Sequence, residues 1–286
     1  MTEVTQGPRF SGDVCRRGRW LAPPANADFL ISDDPIDTPM FKPTLFQALP
    51  MSLGLGLLSV ACSSTSSTVN TSAPVSAYDM AVQSGEAYTL TVLRAGDSMS
   101  LPKGAELSEL THAHQNFLES MFDESFLLTS GPLVAPRSET NLRGLFFMDA
   151  ADPSAAQART CEDPATKSGI FQMESMPFAT RFDLRALPPI ERGFRMQRGS
   201  DDVVARPYVI AMIPTSVAAN VIFEQLGETA IFYGDVLGGS FKDQSICVLD
   251  CTTIGDAQAA LAGVTSMVEE FTFHPWVSTT SVAELN

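Results

Sequence analysis

The sequence is short of positive charge, of histidine and of long apolar runs. Its 286 residues carry 18 Lys and Arg against 33 Asp and Glu, a formal net charge of −15. Nucleic-acid binding needs a basic face to meet phosphates, so that class of partner is excluded. No apolar run reaches the roughly 20 residues that a membrane-spanning helix requires. Five cysteines in a chain of this length do not make a disulfide frame. Cys247 and Cys251 would stand about 13 Å apart on one extended strand, too far to pair unless the strand ends between them. With Cys161 they form an odd set, and mostly buried free thiols are expected. No phosphate loop, flavin fingerprint or metal-ligand cluster is present, so neither a cofactor nor a metal is predicted.

Only three histidines occur: His112, His114 and His274. Leu107, Leu110, His114, Phe117, Leu118 and Met121 recur at helical spacing, which predicts a helix with His114 on its inward stripe and His112 off it. Two histidines at i and i+2 of a helix do not face each other, so this pair cannot chelate one ion. Around the helix the order reads strand, helix, strand, strand, helix, strand. Ala87–Leu93 alternates and is rich in β-formers. Phe126–Ser130 is a short apolar strand, expected to stop in a turn at Gly131-Pro132. Arg143–Met148 is a third strand. Asp152-Pro153 reads as a helix cap followed by proline at the first helical position. Asp163-Pro164 reads as the end of that helix. Ile170–Met176 is the fourth strand.

Chemistry in this stretch centres on His114, the one plausible general base. An unperturbed imidazole titrates near pH 6.5, about where a proton must move. A carboxylate on one ring nitrogen fixes the tautomer and leaves the other nitrogen to act, and Asp163 is the carboxylate that this order of elements can bring to it. Ser130 lacks a Gly-x-Ser-x-Gly elbow and reads as a pocket or turn residue, not a nucleophile. The bland alternative for an inward histidine is a satisfied core residue.

The ordered set His114-x-x-Phe117-Leu118, Leu128-Thr-Ser-Gly-Pro132, Arg143-Gly144 and Asp163-Pro164 resembles the YCII-related (YciI-like) family, over about residues 88–180. The resemblance implies an α+β, ferredoxin-like domain of the dimeric α/β-barrel type with an antiparallel sheet. It implies a pocket lined by a His/Asp pair and lyase- or isomerase-type acid–base chemistry on small, often cyclic molecules. Carried onto this sequence, the pair is His114 and Asp163, with Ser130, Gly131 and Arg143 at the pocket.

The second half repeats landmarks of the first. Met148-Asp149 and Leu249-Asp250 are each followed by Ala-Gln-Ala at the same distance. Tyr88–Leu93 is answered by Tyr208–Ile213, Leu128–Gly131 by Ile231–Gly234, and Met176-Pro177-Phe178 by His274-Pro275-Trp276. This order predicts an internal duplication and an intrachain pseudo-dimer of two ferredoxin-like domains. The second copy lacks the dyad, because Val264 and Thr265 fall opposite Asp163 and Pro164 and the segment that would hold the base is shortened. His274 reads as a strand-end packing residue.

At the other end, Met51–Ala61 is an eleven-residue run without charge, the length of a signal-peptide core. Leu58-Ser-Val-Ala-Cys62 resembles a bacterial lipoprotein signal, which implies lipid attachment at Cys62 and a place in the cell envelope. Ser59-Val-Ala61 also suits ordinary signal peptidase, which makes free secretion the alternative. The resulting division is an extension or mis-assigned start (1–39), a signal peptide (40–61), a Ser/Thr-rich linker (62–85), a first domain (86–180), a linker (181–206) and a degenerate second domain (207–282). The linker holds Arg181, Arg185, Arg192, Arg195, Arg198 and Arg206. It is either a solvated connection or a set of pins to the acidic surfaces of the domains. The expected state is a monomeric pseudo-dimer or a homodimer. The expected function is small-molecule binding with acid–base catalysis, the alternative a non-catalytic binding or structural protein.

Overall fold

The computed structural model describes residues 81, 84–96, 102–215, 222, 226–263 and 271–285. The signal-like run, Cys62, and the positions Val264 and Thr265 lie outside the described residues. So does most of the segment between Thr215 and Leu226.

Eight strands form one antiparallel sheet. β1 (Ala87–Ala95) leads into helix α1 (Ala105–Asp123), then β2 (Leu127–Pro132) and β3 (Leu142–Met148). Helix α2 (Pro153–Thr160) and a single helical turn α3 (Pro164–Lys167) precede β4 (Phe171–Ala179). These four strands lie in the order β2-β3-β1-β4, the antiparallel arrangement of a ferredoxin-like βαββαβ unit. After helix α4 (Leu187–Arg198) come β5 (Ala205–Pro214), β6 (Ala230–Val236), β7 (Gln244–Leu249), helix α5 (Ile254–Ala260) and β8 (Thr272–Thr279). Their order is β6-β7-β5-β8.

The two runs of four strands share their registers. Tyr88 faces Phe178 across β1 and β4, as Tyr208 faces Trp276 across β5 and β8. Leu90 faces Met176 and Ile210 faces His274. The runs meet at two seams. At one, Phe178 of β4 pairs with Val236 of β6. At the other, Leu133, just after β2, bridges Trp276 of β8, and the Val134 amide donates to the Pro275 carbonyl at 2.9 Å.

Period-two alternation fills both faces of the sheet. Leu90 and Val92 of β1 join Phe147, Phe178, Phe232 and Trp276 in a core between the two halves. Leu93, Phe146 and Met148 point the other way, to Met121 and Phe122 of α1. Val209, Ala211, Cys247 and Leu249 form the matching outer cluster of the second half. Thr89 and Thr91 sit buried on the outer face, bonded to the Ala150 carbonyl at 2.7 Å and the Ser175 hydroxyl at 2.8 Å. Both hydroxyls therefore have partners and do not carry the cost of unsatisfied polar groups.

Two local expectations need correction. β2 does not turn at Gly131-Pro132; it continues, with Gly131 opposite Leu145 and Pro132 opposite Gly144. Proline lacks the N–H for a second ladder, and an end strand of the sheet asks for only one. Asp163-Pro164 starts a helical turn instead of ending one, by the same Asp-Pro signal that starts α2 at Asp152-Pro153. The described thiols are free and mostly buried, as expected: Cys247 and Cys251 are buried and Cys161 is exposed. β7 ends at Leu249, so Cys251 lies beyond the strand.

Residues 181–206 contain the helix α4, and several of its arginines meet acidic residues. Arg185 reaches Asp149 at 2.9 Å, Arg195 reaches Glu119 and Glu191, and Arg206 reaches Asp250. Pro188 and Pro189 sit in the first turn of α4, where missing N–H groups are harmless. Gly199 closes the helix with φ 64°, a left-handed cap.

Candidate active site

α1 places His114 against α3. The apolar stripe of α1, with Leu110, Phe117 and Leu118, packs on the outer core and turns His114 inward. His112 is exposed. α3 contributes Asp163 as its N-cap, and the side chain accepts from the Ala165 amide at 3.2 Å and the Thr166 hydroxyl at 3.1 Å. His114 Nδ1 lies 3.0 Å from both Asp163 oxygens. The Asp163 side chain is fully buried and that of His114 is 12% exposed. The Phe171 ring stands 5.5 Å from the imidazole, tilted by 57°.

The protonation pattern follows from the partners. An ionised carboxylate only accepts, so the shared hydrogen belongs to His114 Nδ1. In the neutral imidazole the Nε2 atom then carries the lone pair, and among the described residues the hydrogen bonds of this ring are those of Nδ1 to Asp163. Three donors converge on Asp163, which offsets the loss of water around a buried charge. A neutral imidazole held in one tautomer, with one nitrogen open, has what proton abstraction needs.

The remaining expected site residues make other contacts. Ser130 lies in β2, and its carbonyl accepts from the Ser278 hydroxyl at 2.9 Å. Gly131 abuts β8: a Cβ there would fall 1.9 Å from the Val277 carbonyl oxygen, so this position serves strand approach. Arg143 folds back on its own loop, donating to the carbonyls of Thr140 and, at 3.1 Å, Leu142. His274 is fully buried, three residues into β8, with Nε2 3.1 Å from the Ser138 hydroxyl and Nδ1 unpartnered among the described residues. Burial pushes its imidazole below the ordinary histidine range, and Glu139 opposes this. Burial also drives the Cys247 thiol up to about 12, so it stays protonated.

One polar cluster escaped the sequence reading. Glu191 and Arg195 lie on the buried face of α4, with Arg195 Nε 3.4 Å from Glu191 Oε1. Arg195 also forks onto both oxygens of Glu119 on α1. Its guanidinium stands 4.8 Å from the Phe122 ring centre. Burial alone would depress the Arg195 pKa, but the bonds and charges of Glu119 and Glu191 raise it. Arg195 borders a small cavity of about 20 Å³, with Leu118 and Phe122 of α1, Thr129 and Ser130 of β2, and Thr279. The signal for this cluster was the charged spacing 191–195 within a stretch bounded by Pro-Pro and Gly.

An antiparallel βαββαβ sheet with a histidine–carboxylate pair on its outer helices defines the class of this domain. Residues 90–178, from β1 to β4, match the YCII-related domain, and the chain contains that domain there. No curated protein matches the chain.

Proposed function

We propose that this protein binds a small molecule at its YCII-related domain and moves a proton on it, in a lyase- or isomerase-type reaction. His114 acts as the base or acid and Asp163 orients it. The observation that carries this reading is the pair of 3.0 Å contacts to His114 Nδ1, which leaves Nε2 free. Gly131 and Arg143 are placed at the pocket by family resemblance alone, and Ser130 also borders the small cavity beside Arg195. Elimination and isomerisation need no nucleophile, which suits a site without one.

The second half, in the same proposal, is a degenerate copy that supplies within one chain the partner other members recruit as a dimer. Its support is the repeated strand order and the matched registers of Tyr88 with Tyr208 and Phe178 with Trp276. The division at residues 86–180, 181–206 and 207–282 belongs to this reading. The chain is exported and lipid-anchored at Cys62, with free secretion as the alternative; mass spectrometry of the envelope fraction with and without Cys62→Ser decides between them.

The second reading is a non-catalytic binding or structural protein. What favours it is that Asp163 also caps α3, so the pair bolts two helices together.

Deuterium incorporation from D₂O into a panel of small cyclic ketones, lactones and hydroxy acids tests the catalytic reading. Label should appear with the full chain and fall by roughly a hundredfold or more in His114→Gln. Equal labelling by both proteins, or none with any member of the panel, removes the catalytic reading and leaves the binding one.

A further inference from the structure

The cavity beside Arg195 lies on the same face of α1 as His114. Residues 114, 118 and 122 are spaced one helical turn apart, about 6 Å per step along the axis. Leu118 and Phe122 line the cavity, so it begins one turn from the imidazole. Arg195 comes from α4, outside the matched residues 90–178.

Arg195 lies between Glu119 and Glu191, Arg198 also reaches Glu191, and Arg192 donates to the Ser125 hydroxyl. The two carboxylates differ in their hold. Glu191 is buried to 1% and anchors Arg195 from its own helix. Glu119 is 30% exposed, the more solvent-facing of the two. A planar guanidinium pairs best with a planar, two-oxygen anion. Thr129 and Ser130 of β2 border the same space, the Thr129 hydroxyl being bonded to that of Ser278 at 2.8 Å.

We propose that this cavity is the subsite for the carboxylate of the small molecule, with Arg195 as its binding residue and Glu119 as an internal carboxylate that yields the place. The substrate class is then a small carboxylic acid lying along the 114–118–122 face. This rests on the reading of His114 as the reacting group.

Titration of the full chain with acetate and, separately, inorganic phosphate, followed by the Thr129 and Ser130 amides and the Arg195 Nε–H in NMR spectra, tests it. Acetate should give saturable shifts at these groups and phosphate should not. Glu119→Gln removes the competitor, keeps the Arg195–Glu191 pair, and should tighten acetate binding roughly tenfold. Arg195→Gln should abolish it; because that change leaves Glu191 buried, Glu119→Gln carries the decision if the variant does not fold. No saturable shift in either wild type or Glu119→Gln overturns the proposal, as do shifts that persist in folded Arg195→Gln. Equal response to phosphate overturns the carboxylate assignment. Acetate binding is read without turnover, so a failed deuterium assay leaves this result standing, and a failed titration leaves that assay standing.

Discussion

Gly131 and Gly234 hold equivalent places at the two seams of the sheet. A Cβ at Gly131 would stand 1.9 Å from the Val277 oxygen, and one at Gly234 would stand 2.3 Å from Phe178 Cζ and 2.6 Å from the Ala179 oxygen. At each seam the strand with the aromatic residue comes so close that no side chain fits. Gly131→Ala and Gly234→Ala should therefore each destabilise the fold by about 2–3 kcal/mol through overpacking. Urea denaturation midpoints check this. A change under about 0.5 kcal/mol would show that the seams open more easily than these distances allow.

Asp163 has two duties that substitution separates. Asparagine keeps a cap for α3 but turns an amide N–H toward His114, so Asp163→Asn should cost about 1 kcal/mol while shifting the imidazole hydrogen to Nε2. Asp163→Ala removes both duties and should cost about 2–3 kcal/mol. Long-range ¹H–¹⁵N spectra of His114 report the tautomer. An unchanged tautomer in Asp163→Asn would mean that the carboxylate does not set it.

His274 gives the fold a dependence on acid. Its folded-state value is depressed by burial, so the unfolded chain takes up a proton that the folded chain refuses. Stability should fall as pH drops below about 6.5 and the loss should level off below the folded value. His274→Met, which copies Met176 at the matching register, should remove this part of the slope. Identical pH slopes for the two proteins between pH 7.5 and 5 would contradict the assignment.

The thiols should divide by exposure. Cys161 should react with a disulfide reagent within the mixing time of the native chain, and Cys247, protonated and buried, should wait for unfolding. Peptide mapping by mass spectrometry locates the label. Modification of Cys247 as fast as Cys161 would mean that the outer layer of the second half opens readily.

The sequence made some of this legible for identifiable reasons. Apolar spacing turned His114 inward and His112 outward, because helix periodicity alone decides both. The matched registers at Tyr88 and Tyr208 were visible because strand-end residues recur with the turns that follow them. Asp163-Pro164 misled, since a proline that disfavours a preceding helical residue is equally at home in the first turn of a new helix, and here it starts one after the previous helix has ended at Thr160. α4 was read as a linker because its buried face carries Glu191 and Arg195 while Met196 is 81% exposed. A helix that hides its charges and shows its methionine inverts the pattern on which hydropathy depends. Its proline start and glycine stop were the signal left. Gly131-Pro132 looked like a turn because nothing local to a strand shows that its outer edge faces another strand end.

Both seams of the sheet close within a single polypeptide. Contacts between the halves therefore do not weaken on dilution, as they would between separate chains. In an assembly of two identical chains every substitution appears twice, on both sides of the axis. Within one chain the two runs of strands are free to differ, so β8 sets His274 against Ile210 where β4 sets Met176 against Leu90.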